Sequence, residues 1–191
     1  MAVRIVIAED EALIRLDLKE TLEAEGYEVV GAVGRGDEAV ALVRELSPDL
    51  AILDIKMPGM DGIAAAKEIA GNRRAAVLIL TAFSQRDLVE QATAAGAIGY
   101  LVKPFQKSDL IPAIEVAMAR FRDVKALEAE VETAKEQLTT RRIVERAKGL
   151  LMDRYKMSEG DAFTFLQQTA MRERSKMRAI AERVLDGSLT P

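Results

Sequence analysis

Neither cysteine nor histidine occurs anywhere in the 191 residues. The first absence excludes a disulfide framework and any thiolate metal site. The second excludes imidazole acid–base catalysis, ordinary zinc sites and a phosphohistidine relay within the chain itself. Long apolar runs are missing as well, so no segment has the length needed to span a bilayer. Met1-Ala-Val-Arg-Ile-Val-Ile runs straight into a strand-like pattern and leaves no room for a signal peptide. A cytoplasmic protein is the expectation. Proline and glycine are absent between Ala113 and Lys148, which argues against a flexible linker there.

The length suits one or two domains with a real core. The net charge of −4 is unevenly spread. Residues 1–119 carry 12 Lys/Arg against 19 Asp/Glu, and residues 120–191 carry 15 against 12. That asymmetry points to two modules with different partners.

Short apolar runs and helical spacings alternate through the first part. Val3–Ala8 reads as a strand, followed by a helix over Ala12–Glu25 with Leu13, Leu16, Leu18 and Leu22 at helical spacing and Gly26 as its stop. Strands over Tyr27–Ala32, Ala51–Leu53, Ala76–Leu80 and Gly99–Val102 are separated by helices over Asp37–Leu46, Ile63–Ala70 and Gln85–Ala95, and a fifth helix starts at Leu110. Five strand–helix units in about 120 residues predict an α/β fold with one doubly wound, five-stranded parallel sheet.

This topology brings scattered polar residues to one edge. Glu9 and Asp10, Asp54, Thr81 and Lys103 each follow a strand directly, at the end where open parallel sheets bind ligands. A strand-end Asp alone is more often a turn or cap residue. Several carboxylates together make a hard oxygen site suited to Mg²⁺ and a phosphate partner. An ammonium and a hydroxyl beside them would neutralise and hydrogen-bond phosphoryl oxygens.

The set Glu9-Asp10, Asp54 with Met57-Pro58 and Asp61-Gly62, Thr81-Ala82 and Lys103-Pro104-Phe105 resembles the receiver domain of bacterial two-component response regulators, a flavodoxin-like fold, over residues 1–120. The resemblance implies that Asp54 accepts a phosphoryl group from a sensor histidine kinase. It also implies that Glu9, Asp10, Asp54 and the Lys56 backbone carbonyl hold Mg²⁺, that Thr81 and Lys103 contact the phosphoryl group, and that Tyr100 is an aromatic switch. The Lys103–Pro104 bond is expected to be cis. Glu9 stands where the family often has Asp.

Beyond Leu110 the helical pattern continues. Val124, Leu127, Val131, Ala134 and Leu138 alternate in steps of three and four, a short heptad seam. Residues 121–138 are therefore read as a coiled-coil linker and the protein as a homodimer when phosphorylated. An amphipathic helix lying on its own domain is the alternative, and the step 121-124-127 departs from the heptad register.

Thr139-Thr140 precedes a last module over 139–191, expected to be an all-α three-helix bundle. Its helices start near Arg141, after a Ser158 cap, and at Ser175. Apolar faces are assigned to Ala162, Phe163, Leu166, Ala170 and Met171, and to Met177, Ile180, Ala181, Val184 and Leu185. The pattern of Arg142, Ala147-Lys148-Gly149 and Leu151-Met152, with Met157-Ser158, Ala162-Phe163, Ala170-Met171 and Ala181, resembles the ANTAR domain of transcription antitermination regulators. That resemblance implies binding to RNA stem-loops in a nascent transcript, with Arg142, Lys148, Gly149, Arg174, Ser175 and Lys176 as candidate contacts.

Together these readings predict a phosphorylation-activated response regulator with an RNA-binding, antiterminating output. No enzymatic apparatus is expected beyond aspartyl-phosphate formation and hydrolysis. A DNA-binding regulator and a protein-interaction switch are the rival readings.

Overall fold

The structure, a computed structural model, describes residues 2–72, 74–82 and 86–191. It divides into two compact units, Met1–Lys125 and Ala126–Pro191.

In the first unit strand and helix alternate: β1 (Arg4–Ala8), α1 (Ala12–Ala24), β2 (Glu28–Val33), α2 (Gly36–Leu46), β3 (Leu50–Asp54), α3 (Gly62–Gly71), β4 (Ala76–Thr81), α4 (Arg86–Ala94), β5 (Gly99–Val102) and the start of α5 (Lys107–Tyr155). The strands pair in the order β2-β1-β3-β4-β5, and all four pairings are parallel. The doubly wound sheet expected from the strand–helix alternation is present. The expected first residue of the fourth helix, Gln85, lies outside the described residues.

Central strands β3 and β4 are buried along their whole length, which is why both read as unbroken apolar runs rather than alternating ones. Successive side chains go to opposite faces. Ile5, Ile7, Ile52 and Leu78 meet Leu18, Leu22, Leu110 and Ile114 on one side. Val6, Leu53, Val77 and Ile79 meet Val43, Ala65, Ile69 and Ala92 on the other. Register aligns the strand ends: Ala8 pairs with Leu53, Asp54 with Leu80, and Thr81 with Val102. The residues that follow those ends therefore meet along one edge.

One helix face differs from expectation. Leu18 and Leu22 are four apart, share a face and are buried. Leu13 and Leu16 fall on the other side of α1 and are exposed, so the four leucines do not form one stripe.

Helix α5 runs unbroken to Tyr155, and the start expected near Arg141 is not a helix boundary. The Thr139 hydroxyl donates to the Lys135 carbonyl at 2.8 Å, an i−4 bond that keeps a threonine compatible with helix. Phe121 packs against the first unit's core, whereas Val124, Leu127, Val131 and Leu138 are 40–61% exposed. The stripe changes role at that point, which accounts for the irregular 121-124-127 step.

In the second unit the end of α5 is joined by α6 (Glu159–Arg172) and α7 (Met177–Leu185). Ser158 caps α6 by accepting from the Asp161 N–H at 3.1 Å. The α7 cap position is Lys176, one residue later than the expected Ser175. Ala147, Ala162 and Ala181 are fully buried among Leu151, Leu166, Ile180 and Val184, so small residues sit where the three helices meet. Phe163 and Met171 are exposed, contrary to their expected inward placement, and Thr169 is buried instead.

Candidate functional site

The C-terminal edge of the sheet gathers Glu9, Asp10, Asp54 and Lys103. Glu9 is fully buried and Asp54 nearly so. Lys103 Nζ donates to Glu9 Oε2 at 2.5 Å and to Asp54 Oδ1 at 2.8 Å. The Lys56 N–H donates to the other Asp54 oxygen, Oδ2, at 2.9 Å. The Asp54 carboxylate is thus oriented by two donors, one at each oxygen.

One carboxylate oxygen from each of Glu9, Asp10 and Asp54 lies within 4.8 Å of the others. Three carboxylates against one ammonium leave the cluster formally two charges negative. That hard oxygen set fits a divalent cation such as Mg²⁺. Burial raises the Glu9 carboxyl above the usual glutamate value, although its hydrogen bond from Lys103 works the other way. For Lys103, burial alone would lower the ammonium. Hydrogen bonds to Asp54 and Glu9, with their charges, outweigh it and leave the ammonium raised. It is therefore a firm cation at neutral pH.

The backbone is closely packed here. A Cβ at Gly62 would lie 1.9 Å from the Asp54 carbonyl oxygen, so only glycine lets α3 start this close to the end of β3. Asp61, although acidic and nearby, is the α3 cap and accepts from the Ala64 N–H at 2.7 Å. Thr81 ends β4 and is buried. The Lys103 N–H donates to the Thr81 carbonyl at 2.7 Å. Tyr100 on β5 is 50% exposed, and the Lys103–Pro104 bond is cis.

Sequence reasoning overlooked Arg15. Its guanidinium donates to the backbone carbonyls of Glu9 and Asp10 and braces the loop that carries both acids. A basic residue one turn into the helix after an acidic pair was the available signal.

In the second unit, Arg142, Arg174, Ser175 and Lys176 are exposed. Arg142, Arg174 and Lys176 enter no ion pair among the described residues. Arg174 adopts left-handed backbone, with φ of 50°. Lys148 departs from the expected exposed contact. It is only 7% exposed, and its ammonium is held by Glu145 Oε1 at 3.0 Å and Glu159 Oε1 at 2.8 Å. Its charge is paired with two glutamates whose own side chains are 56% and 69% exposed. Gly149 has nothing within 4 Å of where a Cβ would stand, so its missing side chain answers no contact within the chain.

A family model for the response regulator receiver domain matches residues 5–115, and one for the ANTAR domain matches residues 132–185. Over 188 residues the chain is 59% identical to the transcriptional regulatory protein PdtaR of Mycobacterium tuberculosis, covering 98% of this chain and 92% of that one. It is 41% identical over 115 residues to the chemotaxis protein CheY of Thermotoga maritima, covering 60% and 96%. The CheX-CheY-BeF3-Mg²⁺ complex of Borrelia burgdorferi is a structural neighbour, with a TM-score of 0.56 at 25% identity, covering 59% of this chain and 86% of that one.

Proposed function

The chain belongs to the two-component response regulators, with a receiver domain followed by an ANTAR domain, and on that premise we propose how its own residues carry the signal. Asp54 is the phosphoacceptor. A carboxylate oxygen of Asp54 attacks the phosphorus of a phosphohistidine on a partner sensor kinase. A P–O bond forms, the P–N bond breaks, and its electron pair leaves with the imidazole nitrogen. Positioning and charge neutralisation carry such a transfer. The Lys103 ammonium, already on Asp54 Oδ1 and Glu9 Oε2, is the observation that supports this reading most directly. It lies where charge accumulates on the phosphoryl oxygens.

Glu9, Asp10, Asp54 and the Lys56 carbonyl would hold Mg²⁺, which supplies neutralisation of the phosphoryl oxygens when bound. The aspartyl phosphate adds charge and three strong acceptor oxygens. The Thr81 hydroxyl moves to hydrogen-bond them, and the Tyr100 ring turns inward into the space it leaves, a local two-state element. Hydrolysis of the acyl phosphate resets it.

The output is RNA. Residues 139–191 bind stem-loops of a nascent transcript and so antiterminate transcription, through Arg142, Gly149, Arg174, Ser175 and Lys176. Lys148 holds the bundle together rather than touching RNA. Phosphorylated chains pair along Val124, Leu127, Val131, Ala134 and Leu138. The protein works in the cytoplasm, and among the described residues no helix is long and apolar enough to cross a membrane.

The test compares the chain with and without acetyl phosphate against hairpin RNA, duplex DNA and neither. Phosphorylation-enhanced binding to the hairpin is the expected result. Equal or tighter binding to the duplex would replace the RNA output with a DNA one, and binding to neither would leave a protein-interaction switch.

A further inference from the structure

The solvent side of α6 has a composition that the core of the bundle does not explain. Residues four apart line up along a helix, and here they form two exposed ridges: Phe163, Gln167 and Met171, and beside them Thr164, Gln168 and Arg172. Phe163 is 41% exposed and Met171 72%, while Phe165, two residues along, packs against the core. No Asp or Glu falls between Asp161 and Glu173, in a chain with 31 acidic residues. Glu173 itself is engaged by Arg183 of α7. Immediately beyond it come Arg174 and Lys176, neither in an ion pair among the described residues.

We infer that this face reads unpaired bases in the loop of the bound RNA, an inference that rests on the RNA-binding output proposed above and specifies its chemistry. Sequence-specific RNA recognition targets bases splayed out of loops, which stack on aromatic rings and are hydrogen-bonded along their edges. Phe163 supplies the ring. Gln167 and Gln168 each carry a donor and an acceptor on one planar amide, the pairing geometry that a base edge requires. Arg172, Arg174 and Lys176 lie at the end where flanking phosphates would run. The absence of carboxylates from Ala162 to Arg172 keeps this stretch acceptable to a polyanion, while the acids Glu159 and Asp161 stay at its N-terminal end. Exposed Phe and Met would also suit a protein partner, but two central amides with Arg172, Arg174 and Lys176 beyond them match bases and phosphates better than an aliphatic interface.

The probe is a hairpin selected on the full-length, acetyl-phosphate-treated chain from RNAs with one constant stem and a randomised loop. The same stem as blunt duplex RNA is the comparator. Phe163→Ala should weaken hairpin binding roughly five- to a hundredfold, the range for one base–aromatic stack. The salt dependence, the melting temperature and affinity for the blunt stem should stay unchanged. Phe163→Leu, which keeps apolar bulk without a π face, should lose binding too, and Phe163→Tyr should retain it. Gln167→Ala and Gln168→Ala should change which loop sequences are tolerated. Unchanged hairpin affinity in Phe163→Ala and in both Gln variants would overturn the inference. So would an equal loss on the blunt stem, or a fall in molar mass that marked the face as a protein interface. If the wild-type chain preferred no hairpin to duplex DNA, the RNA output itself would fail, a result distinct from a wild type that binds and variants that bind equally.

Discussion

Lys148 Nζ lies 2.8 Å from Glu159 Oε1, an ion pair joining α5 to the first turn of α6. The hydrogen bond from Lys148 to Glu159, with a second to Glu145, raises the ammonium above the ordinary lysine value. The same bond to Lys148 holds the Glu159 carboxyl below the ordinary glutamate value. A raised lysine adds stability that is complete below its unfolded pKa and disappears as pH climbs through the folded one. A lowered glutamate adds stability above its unfolded pKa that is lost as pH falls through the folded one. The contribution is therefore level around neutrality and declines at both extremes. In thermal melts followed by circular dichroism across pH, Glu159→Gln should flatten the acid decline. The alkaline decline should persist, smaller, because Glu145 still engages Lys148. An acid limb identical to wild type would deny the pair any stabilising role.

Acetyl phosphate should label the wild-type chain and leave Asp54→Asn unlabelled. Removing the carboxylates of both Glu9 and Asp10 should abolish labelling together with its Mg²⁺ dependence. Wild-type labelling of Asp54→Asn would transfer the acceptor role to another residue.

Lys103 is paired with Glu9 and Asp54, two of the three carboxylates that a cation would use. Lys103→Met should therefore bind Mg²⁺ at least roughly fivefold more tightly, since a nearby positive charge is worth over a kcal/mol at such distances. Phosphoryl uptake should fall in the same variant. Isothermal titration and labelling measure the two separately, and a parallel loss of both would mean that Lys103 mainly supports the fold.

The exposed stripe on α5 gives a separate test of assembly. Leu127→Glu combined with Val131→Glu would place like charges in the seam, at a cost of several kcal/mol if both are interfacial. Sedimentation of the phosphorylated variant should show monomer where wild type shows dimer. A dimer unaffected by both substitutions would place the contact off the long helix.

Gly149 sits inside a helix with open space around it. Gly149→Ala should stabilise the free chain by about 0.5–1 kcal/mol and weaken hairpin binding, because a methyl group then stands where RNA approaches. Stabilisation without loss of binding would remove Gly149 from the contact surface.

The strand–helix alternation was readable because parallel central strands are continuous apolar runs, and most element ends fell within a residue or two of their expected places. The convergence of Glu9, Asp10, Asp54 and Lys103 followed from topology alone, since each lies at or just beyond the C-terminal end of a strand. What escaped was set by tertiary neighbours or by hydrogen bonds that residue type does not reveal. Glu159 is eleven positions from Lys148, and nothing in that spacing announces an ion pair. Leu13 and Leu16 resemble core leucines until the helix is placed against the sheet. Thr139-Thr140 looks like a boundary until the Thr139 hydroxyl is seen bonding back to Lys135. Arg15 acts on backbone carbonyls, so its only trace in the sequence is its place one turn after the acidic pair.

The brevity of the apolar stripe on α5 has a consequence for signalling. In the proposed pairing along α5, two regular heptads would make a weak association, and pairing would follow mass action. While most chains are unpaired, the paired species grows with the square of the number of phosphorylated molecules. Halving that number then leaves about a quarter of the pairs. With that pairing, a graded kinase input would be sharpened into a steeper transcriptional response, and the copy number of the regulator would become part of the message.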